Sequence, residues 1–75
     1  MKFVLCIKRE DFGDFSAEDL TLGRLYEVLE DADDQGMLRV RDNSGEDYLY
    51  PAQFFETVSL SEQTAQRLHD LLTAA

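Results

Sequence analysis

The run MLRVRDNSGEDYLYP, residues 37–51, limits most strongly what this chain can fold into. Leu38 and Val40 alternate with Arg39 and Arg41, so an extended segment would be apolar on one face and charged on the other. Asp42, Asn43, Ser44 and Gly45 follow as a turn. Asn43 and Ser44 tolerate turn conformations, and Gly45 supplies positive φ for a bulged hairpin. EDYLY resumes as a strand, and Pro51 ends it because proline has no N–H to donate to a ladder. The chain has 75 residues, which makes one domain. A core of that size leaves a net stability of only about a few kcal/mol.

The flanking segments carry the same period. KFVLCIK, residues 2–8, reads as a buried strand, with Phe3, Leu5 and Ile7 on one face and Val4 and Cys6 on the other. Residues 9–19 form a long polar excursion, in which Phe12 and Phe15 are expected to fold back onto the core or to rim a ligand site. LTLG then leads into RLYEVLE. Leu20 and Leu22 are expected to share a face, and Gly23 to bend the strand entry. Within that strand Tyr26 and Val28 face one way, Leu25 and Leu29 the other. PAQFF suits a single helical turn with Phe54 or Phe55 buried, and ETV a short last strand.

The tail changes period. Ala65, Leu68, Leu71, Leu72 and Ala75 fall at helical spacing. Two starts compete: a capping box of Ser59 and Glu62, or Ser61 with Leu60 and Ala65 as a hydrophobic staple. The apolar stripe must cover either the strands or a second copy of the chain, so a homodimer through this helix is one expectation. The fold class is mainly β. A small five-stranded barrel over residues 1–58 is expected, with a C-terminal amphipathic α-helix over 59–75.

Chemistry is scarce. EDADDQG, residues 30–36, places four carboxylates in five positions, which invites comparison with a calcium loop. Asp31, Asp33 and Gly36 fit that pattern, but Gln35 is a weak ligand and Asp42 is one methylene shorter than the bidentate glutamate required. Strand-like sequence on both sides makes the segment a hairpin turn instead. His69 is the lone histidine and falls beside Leu68, at the edge of the buried stripe. Cys6 is the lone cysteine and reads as a buried, inert thiol. There is no nucleophile elbow, phosphate-binding glycine loop or Cys/His pair, so neither catalysis nor a cofactor or metal is expected.

Sixteen acidic residues stand against seven basic ones, a net charge of −9. Such a surface repels nucleic acid and anionic membranes, so a direct partner should be basic. No apolar run approaches the roughly 20 residues that span a bilayer. The opening segment lacks a small-residue cleavage site, so a cytoplasmic setting is expected.

The stretch from Leu20 to Val58, about half of the chain, resembles the small Src-homology-3-like barrel proteins of bacteria and their phages. The matching positions are Leu20, Thr21, Gly23, Tyr26, Val28, Asp42, Gly45, Tyr50, Pro51 and Phe55. The resemblance implies a five-stranded barrel, a fold that hosts many roles. YPAQFF also resembles the turn before the last strand of eukaryotic Src-homology-3 domains, which bind proline-rich peptides across an aromatic groove. Tyr26, Tyr48 and Tyr50 are the candidate groove here, although the chain contains no tryptophan; the competing reading is cross-strand aromatic pairing.

In such a barrel the first long loop and the next hairpin turn flank one end of the groove. Glu10, Asp11, Asp14, Glu18 and Asp19 would then join Glu30, Asp31, Asp33 and Asp34 in one anionic face that docks a basic protein. The functional expectation is a non-catalytic protein-interaction or accessory module. The alternative is a phage-type inhibitor that mimics nucleic acid, with carboxylates standing where phosphates would.

Overall fold

Five antiparallel strands and one helix make up the computed structural model, which describes residues 1–9 and 18–74. In chain order they are β1 (Lys2–Cys6), β2 (Leu25–Glu30), β3 (Met37–Arg41), β4 (Asp47–Pro51), a 3-10 turn (Ala52–Phe54), β5 (Phe55–Thr57) and α1 (Glu62–Thr73). They form one sheet in the order β4-β3-β2-β1-β5. The expected β class and terminal helix are both present. The sheet is open: among the described residues no ladder joins β4 to β5. Side chains span the two edges instead, with the Tyr50 and Phe55 rings edge-on at 6.4 Å.

The core lies on one face of the sheet. Val4 and Cys6 of β1, Tyr26 of β2, Leu38 and Val40 of β3, Tyr50 of β4 and the Phe54–Phe55 pair bury together with Leu20. The alternation of β3 holds, with Leu38 and Val40 buried and Arg39 and Arg41 on the other face. Phe3 is also buried, but on the face opposite Val4, paired across to Glu27. β1 is therefore covered on both sides, as its unbroken apolar run requires.

Three local expectations change. β1 ends at Cys6 rather than Lys8, because the amides of Ile7 and Lys8 both turn to the carbonyl of Phe54, at 2.8 and 3.2 Å. Ile7 is exposed as a result. Leu20 and Leu22 do not share a face: the chain turns at Gly23, whose φ is +81°, so Leu20 is buried and Leu22 lies in solvent. Ser61 caps α1, its Oγ accepting from the Thr64 amide at 3.1 Å.

The helix lies on the outer face of the sheet, over Glu27 of β2, which His69 reaches. Ala65 is buried and Leu68 half-buried, while Leu71 and Leu72 remain exposed. Ala75 lies outside the described residues. No helix among the described residues is long and apolar enough to cross a membrane.

Candidate functional site

The antiparallel meander sorts the acidic residues by end. The β2–β3 turn, with Asp31, Asp33 and Asp34, lies at one end of the strands, and the β3–β4 turn lies at the other. Glu18 and Asp19 belong to the second end, because the Asn43 amide donates to the Asp19 carbonyl at 2.9 Å. Glu10, Asp11 and Asp14, like Phe12 and Phe15, lie outside the described residues. The described parts of the expected anionic face are thus not brought together.

Several of these carboxylates have local work. Lys2 Nζ pairs with Asp31 at 2.7 Å, and Arg39 reaches Glu30 at 3.6 Å and Asp47 at 3.0 Å. These pairs are solvent-exposed and contribute about 0–1 kcal/mol each. Asp33 organises its own turn: Oδ1 accepts from the amides of Gln35 at 2.9 Å and Met37 at 3.0 Å, and Gly36 closes the bend at φ +75°. Asparagine keeps that acceptor oxygen. Changing Asp31, Asp33 and Asp34 together to asparagine should therefore shift the urea midpoint by the equivalent of about 1 kcal/mol or less. Unfolding of that variant would show that the turn needs its charge.

The tyrosines do not form the expected groove. Tyr26 and Tyr50 are only 3% exposed, and of the three only Tyr48 is open to solvent. Both buried hydroxyls are drawn inward. Tyr26 donates to Asn43 Oδ1 at 2.9 Å and accepts from the Thr21 amide at 2.7 Å, while Asn43 Nδ2 donates to Thr21 Oγ1. This closed ring pins the entry of β2 to the β3–β4 turn. Tyr50 donates to Asp42 Oδ2 at 2.6 Å, and the other Asp42 oxygen accepts from the amide and hydroxyl of Ser44. The aromatic-packing reading is the one realised, with Tyr26 and Tyr50 each edge-on to Phe55.

Burial raises the Tyr50 phenol well above its ordinary range, and the hydrogen bond to Asp42 adds to the shift. Tyr48 is also raised, first by its hydrogen bond to Glu46. A raised phenol pKa favours the neutral form in the fold. Its stabilisation is complete below the unfolded value of about 10 and is lost as pH climbs towards the folded value. The urea midpoint should therefore fall as pH rises above about 10, and fall less steeply in Tyr50→Phe. An identical slope in both proteins would remove Tyr50 from this account. Burial likewise raises the Cys6 thiol, which fits its reading as inert.

On the outer face a second polar group has formed. Glu27 is 5% exposed, although its place in the alternation points it outward. His69 Nδ1 lies 2.8 and 2.9 Å from its two oxygens. An ionised carboxylate only accepts, so Nδ1 must carry the proton. Arg41 Nη1 approaches Glu27 Oε1 at 3.7 Å, too far for a hydrogen bond. That nitrogen is buried with no hydrogen-bond partner among the described residues.

Beside it a cavity of about 120 Å³ opens between the last turn of α1 and the β3–β4 turn. Arg24, Leu25, Arg41, Asn43 and Leu72 are among its walls. The buried pair Glu27 and Asp42 was not legible as such. Asp42 had a signal in its turn-initiating position, whereas Glu27 had none, because the helix that roofs it arrives 42 residues later. No group of metal-ligating side chains occurs among the described residues.

The fold and site define a mainly β, single-sheet domain with a helix latched to its outer face by a histidine–glutamate hydrogen bond. Comparison with family models, curated proteins and solved structures returned no match.

Proposed function

We propose that this chain is a non-catalytic interaction module of the Src-homology-3-like barrel class, docking through its carboxylates on a protein with a basic surface. The strand order, the single 3-10 turn between β4 and β5, and the positive φ of Gly23 and Gly45 all fit that class. The barrel would be the present sheet with its edges brought together across Tyr50 and Phe55. A cytoplasmic setting accords with the lone, buried Cys6.

The division of its polar groups carries the reading. The buried ones, Tyr26, Tyr50, Asp42 and Glu27, are engaged with one another or with neighbouring residues of the fold. Asp34, Glu46, Glu56, Glu62 and Asp70 face solvent on a chain of net charge −9. A field of that sign speeds encounter with a cationic surface and repels polyanions. The nucleic-acid-mimic reading fits less well, because Lys2 and Arg39 interrupt the run at Asp31, Glu30 and Asp47.

Affinity capture at low and high salt tests the reading, using the folded chain and a bait with Glu46, Glu56 and Asp70 changed to their amides. A partner rich in exposed Lys and Arg, lost with salt and weakened by the neutral bait, is expected. Retention of the same partner by both baits at high salt would overturn it.

A further inference from the structure

We propose that the free edge of β4, at residues 47–49, takes up a short extended segment of the basic partner as an added strand, in which lysine or arginine alternates with apolar residues. The inference rests on the basic-partner reading above and names how that partner is held. It starts from the ladder between β3 and β4, where Arg41 pairs with Asp47, Val40 with Tyr48 and Arg39 with Leu49. The Asp42 amide donates to the Glu46 carbonyl and the Ala52 amide to the Gly36 carbonyl, in the same register. In an antiparallel pair, residues that exchange both bonds alternate with residues that exchange none. Tyr48 and Tyr50 therefore bond to β3, and Asp47 and Leu49 aim their N–H and C=O groups away from it. β4 ends the sheet, and among the described residues no strand meets that side.

Such an edge is a template for strand addition unless a lysine, a bulge or a proline blunts it. Pro51 closes only the far end, where Tyr50 is buried against Phe55. Residues 46–49 are all exposed, and they include two large side chains, Tyr48 at 49% and Leu49 at 38%. The two faces of the edge differ in charge. On one, the Tyr48 hydroxyl donates to Glu46 at 3.0 Å, and the charges of Asp42 and Asp19 also reach it. A cation on an incoming strand lies over the Tyr48 ring there, beside Glu46. On the other, Asp47 already pairs with Arg39 at 3.0 Å, which leaves Leu49 to meet an apolar residue. A second copy of this chain suits the edge less, because each copy carries a net charge of −9.

Titration of the full chain with a capped peptide of alternating lysine and valine, followed by amide chemical shifts, tests this. Saturable shifts centred on the Asp47 and Leu49 amides are expected, with slowed hydrogen exchange at Leu49. The same peptide methylated on every backbone nitrogen keeps its charge but cannot pair, and should bind at least about tenfold more weakly. Leu49→Pro removes one outward N–H without touching the β3 ladder, and should weaken the plain peptide as much. A peptide of alternating glutamate and valine should not bind. Equal affinity for the plain and methylated peptides would overturn the edge assignment; if salt still displaced both, the basic-partner reading would survive that failure. Binding of the glutamate peptide as tight as that of the lysine peptide would also overturn the proposal. So would protection of the Leu49 amide that rises with chain concentration alone, which would assign the edge to a second copy.

Discussion

Phe54→Ala is expected to leave the chain largely unfolded at room temperature. Phe54 is fully buried at the junction of the two sheet edges, its ring tilted 53° against Phe55 with centroids 6.5 Å apart. Its carbonyl also receives the amides of Ile7 and Lys8, so its position sets where β1 ends. Truncating a buried phenylalanine costs about 3–5 kcal/mol in transfer and cavity energy. A domain this small has about that much to lose. Loss of amide dispersion and of the cooperative thermal transition would register the effect. A variant that melts within a few degrees of wild type would show that the core is centred elsewhere.

Glu27→Ala is the second large effect, about 3 kcal/mol, and its origin differs. The carboxylate is buried between His69 and Arg41, so removing it leaves the Arg41 guanidinium without its counter-charge and α1 without its polar anchor. His69→Ala should cost less, about 1–2 kcal/mol, because Arg41 still faces Glu27. The two changes are coupled through one hydrogen bond. The double variant should therefore lose clearly less than the sum, by about 1 kcal/mol or more. Strict additivity in chemical denaturation would mean that the helix is held by its apolar side chains alone. The exposure of Leu71 and Leu72 argues against that.

The contrast between β3 and β2 shows where sequence reading succeeds and where it stops. Leu38 and Val40 are buried and their arginine neighbours lie outward, because a hairpin on one core obeys a local period. Glu27 obeys the same period in direction and breaks it in burial, since α1 closes over that face from far along the chain. Leu22 fails for a different reason. Gly23 at positive φ turns the backbone before the strand begins, and the pattern of Leu20 and Leu22 is lost in a turn. The helix start was readable to within two residues, and the choice of Ser61 over Ser59 depended on backbone conformation. The candidate groove failed because hydroxyl partners decide whether a tyrosine faces inward, and Asn43 and Asp42 are such partners only once the β3–β4 turn has formed. The acidic residues were legible as charge but not as geometry, since a meander separates successive turns to opposite ends.

In the function proposed for this chain, exposed carboxylates rather than a buried reactive group make the contact with the partner. The salt dependence of the dissociation constant for the purified chain and its captured partner tests it most directly. Affinity should fall steeply from about 50 to 500 mM sodium chloride as screening shortens the reach of each charge. The slope should flatten when Glu46, Glu56 and Asp70 are changed to their amides. A dissociation constant that is indifferent to salt and to those substitutions would contradict the account.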